Sequence, residues 1–597
     1  MDFIDVPVVI VGGGVCGLNL SIILSDLKID HVLFERHSGT SILPKAHVIN
    51  QRSLEIFRQH GYVDEILEKS APPDFMCQVA WQTSLGGDGP LDRKVLGTLD
   101  AFGTDLKTER GAAYAKDSPH ISTNLPLLRS EPIFREVAER RNPAKVLFGH
   151  TVVDFADEGQ HVIVHVKRAD GEKFTYRASY LVGADGGKTV GTKIGVEMLG
   201  PKNLAHVVST HFKADLSDLW DDRTTIAHFA NPEGGALLAS GSMLPLGPSW
   251  GRHSEEWQLH FGFSVNDPGR FHGEDILIPR IRELLKLPKL DLTVLGVSHW
   301  LLEDVVASKY QEGRVFIAGD SAHRHPPTAG LGLNTAIQDV HNLAWKLALV
   351  LNGKADAALL DTYDTERRLI GKRNADWALF TFKNIAVINA AIGLLPGQTQ
   401  ANTQRFTEMF DPSSEIGRAS HAMVQHAIDG QTIELGAHNI ELGFSYPSGA
   451  LLTDGTNPPP EDPLQQRYIP TTRPGHRLPH AWLFRDGKSL STLDLVGATG
   501  DFLLITDESG EAWVSAVKRV VESSRRGLRI VQISQHGASS PRDGKYLDKE
   551  SQWAHVRDIR DGGAILVRPD NMIAWRSLCP PLDDGNELSS ALDKILG

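Results

Sequence analysis

The first 35 residues restrict the fold more than any other part of the chain. Val6-Pro7-Val8-Val9-Ile10-Val11 is apolar, rich in β-branched residues and followed at once by glycines. Such a run suits a strand buried on both faces of a parallel sheet. Pro7 sits near its first residue, where a missing N–H is tolerated. Gly12-Gly13-Gly14-Val15-Cys16-Gly17 then makes a tight turn, residues 18–27 read as a helix, and His31-Val32-Leu33-Phe34-Glu35 reads as a second strand. This is a βαβ opening, and it predicts an α/β fold.

The spacing carries chemistry as well. Gly12, Gly14 and Gly17 stand where a dinucleotide fold needs a tight turn, close approach to a pyrophosphate, and close helix–strand packing. The helix start supplies free N–H groups and a partial positive charge. Glu35, roughly 20 residues on at a strand end, stands where a ribose hydroxyl is bound. The alternatives are a glycine turn that serves packing alone, or a nucleotide fold that has lost its ligand.

Two more buried strands end in an aspartate, Leu181-Val182-Gly183-Ala184-Asp185-Gly186 and Val315-Phe316-Ile317-Ala318-Gly319-Asp320. Ligands of open α/β sheets lie beyond the carboxyl ends of the strands, so both carboxylates can reach one cofactor. A turn at Asp185 and an N-cap at Asp320 are the plainer readings. The loop His323-Arg324-His325-Pro326-Pro327-Thr328-Ala329-Gly330-Leu331-Gly332-Leu333-Asn334 leads into a long helix. Its glycines and helix start can bring amides to an anionic group, and reduced flavin is one. The paired histidines lack the carboxylate or cysteine set that would complete a metal site.

Composition narrows the remaining classes. A chain of 597 residues has room for three to five domains. Its net charge of −13 argues against a nucleic-acid surface. No apolar run approaches the roughly 18 residues of a membrane span, and the acidic start Met1-Asp2-Phe3-Ile4-Asp5 lacks a signal peptide's basic region. Cys16, Cys77 and Cys579 form no CxxC, which predicts a reduced cytoplasmic protein. Further along, 85–120 reads as loops, 206–300 as a separate sheet, 334–351 and 356–395 as helices, 396–430 as a Thr/Gln-rich linker, and 481–597 as a small α/β domain.

These segments, in this order, resemble the class A flavoprotein monooxygenases. The stretch from His323 to Ala355 looks most like the phenol and chlorophenol hydroxylase branch, as do Lys45-Ala46-His47, Gln51-Arg52-Ser53-Leu54-Glu55, Ser130-Glu131-Pro132-Ile133, Pro474-Gly475-His476-Arg477 and Val567-Arg568-Pro569-Asp570. The resemblance implies a Rossmann-like FAD-binding domain (1–75, 100–205, 300–395), a substrate-binding sheet domain (76–99, 206–299), a linker (396–449) and a thioredoxin-like C-terminal domain (450–597) without thiol chemistry, which suits subunit contacts in a homodimer or higher oligomer. It implies FAD contacts from Gly12, Gly14, Gly17, Glu35, Lys45, Arg52, Asp185, Asp320, Gly330, Gly332, Leu333 and Asn334, with Pro326 beside the flavin. No second Rossmann motif serves NADPH or NADH, so the nicotinamide would dock transiently on the FAD face.

The activity implied is hydroxylation of a small aromatic substrate: NAD(P)H reduces the flavin, O₂ adds at C4a, and the hydroperoxide attacks an electron-rich ring. A phenol with a pKa near about 10 needs a base, and the matching position is His47. His228, Trp257 and His260 are the substrate-pocket candidates. Three departures stand out. The arginine expected after Asp185-Gly186 is absent, with Lys188 or Lys193 as substitutes. Leu127 stands where glutamine is common. Lys45 replaces an arginine, keeping charge but losing the bidentate fork. A flavin epoxidase, Baeyer–Villiger or decarboxylating oxygenase acting on a polyketide-like substrate is the second reading, and a non-catalytic nucleotide-binding protein the third.

Overall fold

The computed structural model describes residues 3–233, 241–266, 273–523, 527–535, 546–581, 583 and 585–597. Three large sheets organise them. The first contains a parallel core whose neighbours run Val315–Ile317, Lys173–Gly183, β1 (Ile4–Val11), β2 (His31–Glu35) and Val146–Phe148. β1 is buried from Val8 onward because helices cover both faces. Helix α1 (Val15–Asp26) begins three residues earlier than its apolar pattern suggested, directly on the glycine turn. The register aligns Val11 with Phe34 and Gly183, and Gly183 with Ile317. The glycine turn, Glu35, the Asp185 loop and the Gly319 turn therefore leave one sheet edge together.

The second sheet has seven strands in the order Thr293–Leu302, Ala205–Lys213, Glu256–Phe263, Ser242–Gly247, Thr224–Phe229, Gln78–Gln82 and Val95–Asp100. Residues 95–100 and the helix Glu109–Asp117 thus lie in a region that the sequence read as loops. One face of the sheet packs Leu259, Phe261, Phe229 and Met243 against Leu277, Ile281, Leu284 and Leu285 of the helix Glu274–Leu285. The other turns toward the first sheet.

Residues 396–449 are not a linker. They hold the helices Thr399–Met409, Glu415–Asp429, Thr432–Leu435 and His438–Leu442. Phe406, Met409, Val424 and Ile428 pack with Val79 and Trp81 of the second sheet. The polar composition belongs to the outer faces of these helices; apolar residues every three or four positions make the inner stripe.

The third sheet runs Lys488–Ser491, Trp482–Arg485, Tyr546–Asp548, Leu528–Gln535, Phe502–Asp507, Ala564–Val567 and Ile573–Ser577. Its domain is tied to the first by fully buried charges. Arg568 grips Glu366 with both nitrogens at 2.8 and 2.9 Å, Lys346 reaches the same carboxylate at 2.8 Å, and Arg477 meets Glu55. Burial works against both carboxylates, yet their cationic neighbours hold Glu55 and Glu366 down at about 2. Removing one member would strand a buried charge, which makes this junction an interior rather than a hinge. Among the described residues, no helix is long and apolar enough to cross a membrane.

Candidate active site

The glycine turn separates packing from binding. A Cβ at Gly12 would stand 2.3 Å from the Ala184 carbonyl oxygen, and one at Gly17 would stand 2.0 Å from that of Gly12. A Cβ at Gly14 would meet only Glu131 Oε1, at 3.6 Å. Gly14 therefore keeps a surface open above a helix start with no side-chain cap and no acid in its first turn. Those amides and the helix dipole fit a pyrophosphate. Glu35 ends β2 with one carboxylate oxygen on the Gly13 amide (2.7 Å) and the other on that of His37 (2.9 Å). Glu131 accepts the Ser41 amide at 2.8 Å and is raised above the ordinary carboxylate range, chiefly by burial. Lys45 is exposed and acts electrostatically on Glu131, which sets it beside the turn.

Asp320 stands exposed on the Gly319–Ser321 turn, and its carboxylate has no partner among the described residues. The loop that follows passes through Ala329 and Gly330, both at φ +62°, into helix α2 (Leu331–Leu351). Gly332 faces open space apart from the His325 ring at 3.7 Å. Leu333 buries its side chain in the core, so only its backbone can serve a ligand. Pro326 is buried, and its carbonyl receives the His325 Nδ1 hydrogen bond at 3.1 Å.

Over this edge stands the second sheet's inner face. Cross-strand pairing sets Ser209, His260, Ser242, His228 and Trp81 in one row. His228 stacks on Trp81 at 5.1 Å. His260 Nδ1 lies 2.7 Å from Ser209 Oγ, and His47 Nδ1 lies 3.2 Å from Asn124 Oδ1. His47, His228 and His260 are deeply enclosed yet keep accessible surface, as the walls of an internal cleft do. Burial pushes them down to about 4, 4 and 3, and His260 also feels the charges of the other two. All three are neutral at pH 7.

An FAD binding domain model matches residues 5–378, and an aromatic-ring hydroxylase C-terminal model matches 471–597. The chain is 33% identical to the phenol 2-monooxygenase of Pseudomonas sp. (strain EST1001), over 96% of this chain and 90% of that one. It is 32% identical to the 2,4-dichlorophenol 6-monooxygenase of Cupriavidus pinatubonensis (strain JMP 134 / LMG 1197), over 100% and 97%. The flavin-dependent monooxygenase PieE, solved with FAD and substrate, superposes with a TM-score of 0.90 at 32% identity, covering 99% of both chains. The chain belongs to the FAD-dependent aromatic-ring hydroxylases.

Within this hydroxylase, four of the residues expected at the site engage their side chains elsewhere. Arg52 is buried, donating to Glu55 (3.1 Å) and to the Asp570 carbonyl (2.7 Å) at the junction with the third sheet. Asp185 spends its carboxylate on the amides of Gly187, Thr189 and Val190 and on the Ser321 hydroxyl, bracing its own loop. Asn334 makes four hydrogen bonds: it accepts from the Asn50 amide and the Ser53 hydroxyl and donates to the Val48 carbonyl, three bonds that lock α2 to the 48–53 segment, and it donates to the Gly330 carbonyl at the start of its own helix. Trp257 lies three residues from His260, an odd number, so strand alternation turns it to the packed face. There its Nε1 donates to the Ala214 carbonyl at 3.0 Å.

Sequence reasoning missed Glu131, Ser209, Ser242, Trp81 and Arg324. Arg324 Nη1 lies 3.7 Å from where a Gly187 Cβ would stand, beside the turn whose expected arginine is absent. Its Nε pairs with Glu303 (3.0 Å) and its Nη1 donates to the Asp320 carbonyl (3.2 Å), which braces it beside the turn, while Lys193 is held by Asp154.

Proposed function

We propose that this monooxygenase hydroxylates a phenolic ring, with NAD(P)H as reductant and O₂ as the oxygen source. One oxygen atom enters the ring and the other leaves as water, with two electrons from the nicotinamide. The observation that carries the reading is His47. Its Nδ1 donates to Asn124 Oδ1, so its Nε2 presents a lone pair. The ring is neutral at pH 7, in a cleft where no cation or carboxylate of the described residues perturbs it. That lone pair can accept the hydrogen bond of a phenolic hydroxyl; because burial has lowered the imidazole's own basicity, the proton passes to it only as the ring is attacked and the phenol oxygen becomes more acidic. FAD, held by the surface at Gly14 on the turn that Gly12 and Gly17 close, by Glu35, Lys45 and Asp320, and by the amides of Gly332 and Leu333, supplies the redox chemistry when bound.

The nicotinamide coenzyme would dock at the open Gly186-Gly187 turn, with Arg324 and Lys188 as its cations. The β-α-β-β-α-β-β-α order of 502–596 supports a thioredoxin-like C-terminal domain, and three unpaired cysteines suit the cytoplasm. A larger, polyketide-like ring system is the second reading. The polar and aromatic row crosses five strands, roughly 20 Å at about 4.8 Å each, and the tetracenomycin A2 monooxygenase-dioxygenase of Streptomyces glaucescens is also 33% identical, over 99% of this chain. NAD(P)H oxidation by the holoenzyme, measured across single-ring and fused-ring phenols with product analysis, tests both. A hydroxylated single-ring product supports the first reading; stimulation by fused rings alone supports the second; no response to any phenol overturns both.

A further inference from the structure

Trp300 and Ser209 form a relay that ends on His260, and the chemistry of its members fixes every proton in it. Trp300 Nε1 lies 2.9 Å from Ser209 Oγ, and Ser209 Oγ lies 2.7 Å from His260 Nδ1. An indole nitrogen only donates. Ser209 accepts from Trp300 and, with no acceptor other than His260 Nδ1 beside its oxygen among the described residues, turns its own hydrogen toward His260. A neutral imidazole that accepts at Nδ1 carries its proton on Nε2. That Nε2 has no partner among the described residues, and the ring stands on the face whose Gln258, two residues away, donates to the Pro44 carbonyl at 3.2 Å, three residues before His47. Trp300 also meets the His260 ring edge-on, at 6.4 Å and 86°, which restrains the ring's tilt.

We infer that His260 is a tautomer-locked hydrogen-bond donor to an oxygen of the aromatic substrate, with Ser209 and Trp300 as its positioning residues. This rests on the phenol reading above and divides the labour within it. His47 offers a lone pair on Nε2 and takes the hydroxyl proton; His260 offers an N–H to the oxygen that gains charge, or to a second ring oxygen. Ser242 is the small residue between His260 and His228 in the row. The cleft thus selects rings whose oxygens pair with one acceptor and one donor, both uncharged. A ring carboxylate would find no cation among these groups.

Two measurements test this. Holoenzyme labelled with ¹⁵N-histidine reports the tautomer, with the His260 signals identified by their loss in His260→Gln. The expected wild-type pattern is a lone-pair Nδ1 and a protonated Nε2, shifting to a mixture in Trp300→Phe and in Ser209→Ala. A protonated Nδ1 in the wild type, or an unchanged pattern in both variants, overturns the relay. The second measurement is binding of 4-nitrophenol, whose absorbance separates phenol from phenolate. Ser209→Ala and Trp300→Phe should each weaken binding and reduce the bound phenolate by about fivefold, the size of one lost hydrogen bond, with FAD content unchanged. Equal binding and ionisation in wild type and variants overturns the donor role. Failure of nitrophenol to bind the wild type, with the tautomer as assigned, overturns the phenol reading instead.

Discussion

The cofactor edge of the first sheet and the inner face of the second are built from different materials. The edge is backbone: three glycines, two helix starts and the carboxyl ends of parallel strands, with few side chains reaching out. The face is side chains only: Ser209, His260, Ser242, His228 and Trp81 come from five strands spread over 180 residues of sequence and meet through register alone. A universal cofactor can be held by geometry that every amide provides. A particular substrate needs particular functional groups, and these are collected from wherever the sheet brings them.

The sharpest test of that difference lies within the glycine turn. Gly17→Ala puts a Cβ 2.0 Å from a backbone oxygen, with no flexible group to yield; the expected outcome is no soluble flavin-bearing protein. Gly14→Ala meets only a side-chain oxygen at 3.6 Å, so the fold should survive while FAD affinity falls by at least about tenfold, or 1.4 kcal/mol. Flavin fluorescence during dialysis reads both. Normal FAD retention in Gly14→Ala would break the claim that its open surface exists for the ligand.

The second sheet provides the next contrast. Trp257→Ala empties a site packed against Trp220 and the helix Glu274–Leu285, and should cost about 3–5 kcal/mol of stability. His260→Gln, three residues away on the other face, should change stability by less than about 1 kcal/mol while impairing substrate binding. Thermal unfolding of both variants decides. Equal destabilisation would mean that the inner face is core rather than cleft.

Legibility in the sequence follows the same division. The βαβ opening, Glu35, Asp320 and the Gly330–Gly332 loop could be found because their chemistry is written in consecutive residues. Trp257 and His260 both read as pocket residues because a lone strand does not reveal which face is buried, although their odd spacing forbids both from sharing one. Arg52, Asp185 and Asn334 sit in motifs shared with cofactor contacts, yet their polar groups are consumed by partners 518, 136 and 284 residues distant as well as by near neighbours. The helices of 399–442 were lost to a composition argument, since amphipathic helices with polar outer faces imitate linkers.

His47 tests the chemistry of the face itself. His47→Gln keeps an amide near Asn124 but removes the base, so ring hydroxylation should slow by about 100-fold. Flavin reduction by NAD(P)H in the absence of phenol should stay near the wild-type rate, read by stopped-flow absorbance. A phenol supplied already ionised, at a pH above its own pKa, should recover much of the loss. Equal rates for variant and wild type on the un-ionised phenol would remove His47 from the mechanism.

The smallest expected effect is on stability against pH. His47, His228 and His260 have folded-state pKa values pushed down to about 4, 4 and 3, mainly by burial, whereas unfolded histidine titrates near about 6.5. Above pH 6.5 all are neutral in both states and this contribution to stability is fully present. Between pH 6.5 and 4 the unfolded chain binds protons that the folded chain refuses, so stability falls as the solution is acidified. Glu55 and Glu366, held down at about 2 by their cationic partners, lose their contribution only below about pH 4.5. The interval from 6.5 to 4.5 therefore isolates the histidines from that network. There, His228→Gln should unfold with a pH slope shallower than wild type by up to about 1.4 kcal/mol per pH unit, one proton's worth. Denaturant titrations at pH 6.5, 5.5 and 4.5 measure it. Parallel slopes would mean that His228 is reached by water in the folded state as freely as in the unfolded one, and the cleft would then be open where the row of side chains requires it to be closed.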